Sequence, residues 1–216
     1  MSLAETLRAA LESGRRASPE LIGGDVLDDE ALAHGVTPAA VLVAVVDRPE
    51  PTVILTLRPE RLVKSGALPT VRGIPGLEPR GALWAAIDFD GVVLNVINTH
   101  LGLVPREQRL QAAALLGEGW LGHPSCVGPT LLTGDFNATS ITRPYQALAR
   151  RLSDCQRAMG LRPSIKTFPS SFPAIRIDHC FTSPEVVVTG VTAPFSPLAR
   201  MASDHLPLIV DFEIRP

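Results

Sequence analysis

A chain of 216 residues can form one large domain or two small ones. With 45% hydrophobic residues it can bury a sizeable core, and a net charge of −2 argues against broad, charge-driven binding to nucleic acid. The charge is uneven, however: Arg143 to Arg200 holds eight Arg and Lys against three Asp and Glu, and Met1 to Arg61 holds six Arg against ten acidic residues. A basic C-terminal region suits a phosphate-bearing substrate, and equally a solvated face.

In chain order, Leu3, Leu7, Ala10 and Leu11 recur at helical spacing and predict an amphipathic helix ending near Gly14. Residues 15–38 are irregular and acidic. Asp25, Asp28, Asp29 and Glu30 read as a solvated loop, since nothing there fixes a ligand geometry. Ala39 to Val46 and Thr52 to Leu57 predict two strands around a Pro-rich turn, and Gly66 to Pro79 predicts a loop. Ala82 to Asp88 and Val92 to Asn98 flank Asp90-Gly91 and predict a hairpin. Arg106 to Leu116 predicts a helix whose inner side is Leu110, Ala113, Ala114 and Leu116, stopped by Gly117. The apolar run at Leu131 predicts a buried strand, and a helix starts near Thr142-Arg143-Pro144 within 141–159. Pro163 to Ala174 reads as a polar, Pro-rich loop, followed by strands at Ile177 to Phe181 and Leu208 to Ile214. The longest aliphatic run, Ala39 to Val46, is too short to span a bilayer, and no apolar leader stands at the N-terminus. Cys126, Cys155 and Cys180 are odd in number and lack metal-site spacing, so they read as reduced thiols of a cytoplasmic protein.

Four polar clusters sit at predicted strand ends: Asn98-Thr99-His100-Leu101, Gly134-Asp135-Phe136-Asn137, Arg176-Ile177-Asp178-His179 and Ser203-Asp204-His205-Leu206-Pro207. Asp135 and Asn137, two apart, share a face if the strand continues. A carboxylate there can take a proton from water, and the amide can hold that water or a phosphate oxygen. A strand closed by an Asx turn accounts for the same residues. His179 faces away from Asp178 and reads as structural, and a structural role is the alternative for His100 and His205. Arg106 and Arg176 have the fork geometry for phosphate, or for a salt bridge.

With NTHL (98–101), GDFN (134–137), RIDH (176–179) and SDHLP (203–207) in this order, the chain resembles the endonuclease/exonuclease/phosphatase superfamily, the deoxyribonuclease-I-like metal-dependent phosphoesterases, over about residues 61–216. The resemblance implies an α/β fold, a sandwich of two packed sheets flanked by helices. It implies that Asp135 positions or deprotonates water beside Asn137, and that His205 is a second catalytic group whose ring N–H is held by Asp178. It further implies that His100 donates to a phosphate oxygen, and that Asp204 and Asp135 bind Mg²⁺ or Mn²⁺. The substrate class is a phosphate ester: nucleic acid, a phospholipid head group or an inositol phosphate.

One departure from that pattern matters. The family's first half supplies an early Asn and a Gln-Glu whose Glu is the main metal ligand, yet this chain has no Asn before Asn95 and no Gln before Gln108. Pro38 to Val63 instead is similar to the first hairpin of a Nudix hydrolase of the coenzyme A pyrophosphatase type, without the Glu-rich Nudix helix. The expected organisation is a Nudix-like segment over residues 1–60, integrated into the sheet through Thr52 to Leu57, followed by the phosphoesterase-like domain over residues 61–216. Asp47 or Glu60 would then replace the missing carboxylate. The expected function is a metal-dependent phosphoesterase of reduced activity, with self-association or marginal stability. A non-catalytic phosphate-binding or interaction module is the alternative, and a Nudix-type nucleotide pyrophosphatase is a third reading.

Overall fold

The computed structural model describes residues 44–46, 52–54 and 62–215 except 72 and 90. The expected N-terminal helix, the acidic stretch 15–38, and Asp47 and Glu60 lie outside the described residues. The chain divides into two units, Met1–Leu55 and Thr56–Pro216. In the first, strands β1 (Ala44–Val46) and β2 (Thr52–Ile54) pair antiparallel, with Val45 opposite Val53. They form a two-stranded sheet of their own rather than joining a larger one.

The second unit holds a six-stranded sheet in the order β3-β4-β5-β6-β8-β7: β3 Leu62–Ala67, β4 Gly81–Phe89, β5 Val92–His100, β6 Thr130–Asp135, β8 Asp178–Thr182 and β7 Ser153–Asp154. β4 and β5 form the expected hairpin, where Gly91 takes φ +84° and its N–H donates to Asp88 Oδ1 at 2.9 Å. β5 and β6 are parallel, as their crossover helix α1 (Pro105–Leu116) requires, and β6 and β8 are antiparallel. β9 (Val186–Thr192) and β10 (Ile209–Ile214) form a second, antiparallel sheet. The remaining helices are short: α2 Arg143–Leu148, α3 Cys155–Ala158 and α4 Pro197–Ala202. None of the described helices is long and apolar enough to cross a membrane.

The alternation of the central strands explains the layers. One set of side chains, Trp84, Ile97, Leu132 and Phe181, packs with Ala112 and Leu115 of α1 and Tyr145 and Leu148 of α2. The opposite set, including Leu94, Leu131 and Cys180, packs with Val186 and Val191 of β9, with Val210, Phe212 and Ile214 of β10 partly buried there. This is the expected α/β sandwich of two sheets flanked by helices.

Several elements differ from expectation for local reasons. The sheet position beside β4 is held by Leu62–Ala67, an edge strand that Lys64, Ser65 and Gly66 hide from an apolar count; Lys64 turns its amine to Gly119 O at 3.0 Å. The expected inner face of α1 holds in part: Ala114 and Leu116 are partly buried against the core. Leu110 and Ala113 are exposed, whereas Glu107, Gln108, Gln111, Ala112 and Leu115 are buried. The buried glutamines satisfy loop backbone: Gly102 N–H donates to Gln111 Oε1, and Gln108 Nε2 donates to Gly102 O and Asn137 O, all at 2.8 Å. β9 and α4 carry no counterpart in the expected elements.

Beneath the helices, Asp154 is buried and its Oδ2 accepts from the Arg176 guanidinium, while its Oδ1 caps α3 by accepting Arg157 N–H at 3.0 Å. Burial works to raise the Asp154 pKa, but the hydrogen bond and positive charge of Arg176 and the hydrogen bond from Arg157 N–H outweigh it and hold the carboxyl well below the usual range. A depressed carboxyl stabilises the fold above its unfolded pKa, and that stability is lost as pH falls through the folded value. Asp154→Asn leaves Arg176 buried without its counter-charge and should cost about 3–5 kcal/mol at neutral pH in urea unfolding. The gap from the parent protein should narrow as pH falls below about 4. A gap that stays constant into acid would contradict the ion pair's role.

Candidate active site

Strand register assembles the site. His100 lies opposite Asp135 across β5 and β6, and Asp135 lies opposite Asp178 across β6 and β8, so three polar residues from three strands share one sheet edge. Gly134 permits the first pairing. It sits at φ +143°, and a Cβ there would lie 1.8 Å from Thr99 O. Beyond Asp135 the strand ends. Asn137 takes φ +47° and its N–H donates to Asp135 Oδ1 at 2.8 Å, an Asx turn, while its side-chain Nδ2 donates to Leu101 O at 2.9 Å. The turn, rather than a shared strand face, brings Asn137 beside Asp135.

His205 arrives from a loop between α4 and β10. That loop is fixed by backbone: Ser170 N–H donates to Asp204 O at 2.6 Å and Leu206 N–H to Thr167 O at 2.8 Å. The ring Nδ1–H donates to Asp178 Oδ2 at 2.7 Å, and the Thr167 hydroxyl donates to the same oxygen. Phe168 lies against the ring with centroids 4.8 Å apart. With Nδ1 committed, Nε2 is the free nitrogen, 3.8 Å from Asp135 Oδ2. The hydrogen bond to Asp178 raises the His205 pKa, against burial.

His100 is set differently. Its Nδ1 is 3.2 Å from the Arg80 guanidinium and its Nε2 is 3.3 Å from Asp135 Oδ2. The guanidinium only donates, so Nδ1 accepts and Nε2–H points at Asp135; the Asn137 amide, 3.1 Å from Nε2, then has its bond at Leu101. Burial lowers the His100 pKa, and Arg80 adds to this while Asp135 opposes it. Burial raises the Asp135 pKa, and the like charge of Asp178 adds to it, against the hydrogen bond from Asn137 N–H. One ligand atom each from Asp135, Asp178 and His205 lies within 4.8 Å of the others.

Of the expected residues, His100, Asp135, Asn137, Asp178 and His205 therefore converge. Asp204 is exposed; its Oδ1 accepts from the Ser203 hydroxyl at 3.4 Å, and it stands outside the Asp135–Asp178–His205 group while its charge helps raise the His205 pKa. Arg106 is exposed in the first turn of α1. Arg176 is buried against Asp154, so its fork is spent on an ion pair and not on phosphate. His179 is buried as expected, its Nε2–H donating to Ala138 O at 2.7 Å behind the 134–137 turn. Arg80 and Thr167 are additions to the expected site. Both lie in Pro-rich loops, where no periodicity marks a residue; Phe168 is visible there only as an aromatic among polar neighbours.

The chain belongs to the Endonuclease/Exonuclease/phosphatase family, whose model matches residues 26–205. The match begins well before the first of the four motifs and runs into the stretch preceding Arg61. Among solved structures, an endonuclease/exonuclease/phosphatase from Bacteroides vulgatus is 22% identical, with a TM-score of 0.56 over 71% of this chain and 66% of that one. A mannosyl-6-phosphatase from Bacteroides thetaiotaomicron is 23% identical, with a TM-score of 0.54 over 71% of this chain and 67% of that one. The human Nocturnin catalytic domain with bound sulfate is 21% identical, with a TM-score of 0.54 over 71% of this chain and 60% of that one. The matched part of the chain thus spans about two thirds or less of each of these structures. No curated protein matches the sequence.

Gly134→Ala tests how the site is built. Any side chain at that φ is strained, and this one would meet the β5 backbone. The variant should lose at least about 2–3 kcal/mol in chemical unfolding. Parent-like stability would mean that β5 and β6 can separate without cost.

Proposed function

We propose that the protein is a metal-dependent phosphoesterase that hydrolyses phosphodiester or phosphomonoester bonds. The observation that carries this reading is the Asp178–His205 hydrogen bond of 2.7 Å beside Asp135. Such a bond fixes the imidazole tautomer and leaves Nε2 to work on the substrate.

The chemistry follows from the protonation each neighbour favours. Asp135, with its raised pKa, is the better base for taking a proton from the attacking water. His205, its pKa raised by Asp178, would act through Nε2 as the acid that donates to a phosphoryl or leaving oxygen. His100 offers Nε2–H on the other side of Asp135, and Arg80 keeps its Nδ1 an acceptor. Asn137 orients the turn and, with it, Asp135.

The donor set fits a hard cation, Mg²⁺ or Mn²⁺. Carboxylates of Asp135 and Asp178 oppose each other on adjacent strands, and their mutual repulsion is relieved by positive charge between them. We assign these two to hold the ion, and leave Asp204, exposed and outside the group, as a nearby charge only. When bound, it would neutralise charge on the phosphoryl oxygens. The family's early Glu is missing, so hydrolysis should need more Mg²⁺ than an intact relative does, and Mn²⁺ should partly substitute. The free, largely buried cysteines support a cytoplasmic location.

Bis-p-nitrophenyl phosphate hydrolysis under Mg²⁺ and Mn²⁺ titration tests the reading. Asp178→Asn should lower the rate about 10²–10⁴-fold with near-parent thermal stability, because tautomer control of His205 and one metal-binding carboxylate are both lost. An unchanged rate in that variant would remove Asp178 from the mechanism. Phosphate binding without any divalent-dependent turnover would select the non-catalytic, phosphate-binding module instead.

A further inference from the structure

Two buried nucleophiles take no part in the chemistry above. Cys155 is fully buried at the start of α3, and Cys180 is buried in β8. β7 and β8 pair antiparallel, with Ser153 opposite Thr182 and Asp154 opposite Phe181. One step further along that register, Cys155 faces Cys180. The alternation of the sheet agrees: both cysteines lie in the core cluster on the β9–β10 side, whereas Phe181 lies on the helix side. The sulfurs themselves meet, since the Cys180 thiol donates a hydrogen bond to the Cys155 sulfur and thereby lowers the Cys155 pKa. The remaining cysteine, Cys126, is partly exposed and packs against the other cluster.

Directly opposed residues on antiparallel strands have Cα atoms about 4.5–5.5 Å apart. A disulfide spans Cα separations of about 4.4–6.8 Å, so this pair can be joined with little backbone movement. The bond closes a ring from Cys155 to Cys180. That ring contains Thr167 and Phe168, which touch Asp178 and His205, and it ends two residues from Asp178 on the same strand. α3 is a single turn of four residues, Cys155–Ala158. Local opening of one turn costs far less than global unfolding, so a water-sized oxidant reaches the sulfurs, though slowly.

We propose that Cys155 and Cys180 are a reversible oxidation site, at which hydrogen peroxide closes a disulfide that ties β7 and α3 to β8. The Cys155 sulfur gives up its proton and attacks one peroxide oxygen. The O–O bond breaks, the sulfur becomes a sulfenic acid, and the released hydroxide takes that proton and leaves as water. The Cys180 sulfur then attacks the sulfenic sulfur. The S–O bond breaks, the S–S bond forms, and the hydroxyl leaves with the Cys180 proton as a second water. Two thiols lose two electrons and peroxide gains them; a dithiol reductant reverses the bond by exchange. The site is independent of the phosphoesterase reading.

The test uses the full chain, reduced, freed of reductant and treated with hydrogen peroxide, then digested without reduction and mapped by mass spectrometry. A crosslinked species joining the Cys155 and Cys180 peptides is expected, lighter by two hydrogens than the free peptides, with Cys126 outside any crosslink. Before digestion, oxidation should raise Tm by roughly 5–10 °C, as expected of a ring of this length in a domain of this size, and dithiothreitol should reverse the rise. Cys155→Ala and Cys180→Ala should each abolish the peroxide-induced rise, every variant being compared with its own untreated form. Cys155 and Cys180 both left as free thiols by peroxide that oxidises Cys126 would overturn the proposal. So would sulfinic or sulfonic acid on either residue without the crosslink, a crosslink through Cys126, or a Cys155–Cys180 bond that leaves Tm unchanged.

Discussion

The hydrogen bond between His205 and Asp178 joins two parts of the chain that share no sheet. Asp178 opens β8 in the six-stranded sheet; His205 sits in the loop that leads into β10 of the smaller one. The bond holds because both partners are prepared for it. Thr167 gives a second hydrogen bond to the same Asp178 oxygen, and the Thr167 carbonyl accepts the backbone N–H of Leu206. The Pro-rich loop around Phe168 is thus a bracket that fixes carboxylate and imidazole together. A flexible loop would have to lose its conformational entropy each time the pair formed.

Around that bond the structure sets two carboxylates side by side at the end of β6 and β8 and surrounds them with donors. Asn137 N–H, His100 and His205 all face Asp135, yet burial and Asp178 keep its pKa raised. A further, deeper set of charges works differently. Asp154 and Arg176 are paired in the core, and His179 extends from that pair to Ala138, directly behind the turn that carries Asp135 and Asn137. That deeper set is buried and charge-paired; the set around Asp135 leaves His205 Nε2 free.

The sequence showed the strand ends well, because an apolar run closing on Asp, Asn or His is a local signal. His100 and Asp135 with Asn137 were legible in that way, whereas Asp178 opens its strand and His205 precedes one, so these two were legible through the RIDH and SDHLP clusters. Arg176 misled for an instructive reason: a guanidinium looks alike whether its partner is a phosphate or a buried Asp154, and only packing distinguishes them. α1 misled because burial there serves backbone hydrogen bonds. Gln108 and Gln111 face inward to hold Gly102 and Asn137, so the apolar period placed Ala114 and Leu116 against the core but misplaced Leu110 and Ala113. Arg80 and Thr167 were invisible because they act from irregular segments whose positions depend on contacts distant in sequence.

The claim on which the account turns is that Asp135, Asp178 and His205 form one metal-assisted phosphate site. A crystal structure of the protein soaked with Mn²⁺ and inorganic phosphate tests it most directly. The account predicts an ion on carboxylate oxygens of Asp135 and Asp178, and a phosphate oxygen within hydrogen-bond distance of His205 Nε2. An ion bound elsewhere with this cluster empty, or phosphate held away from His205, would contradict it.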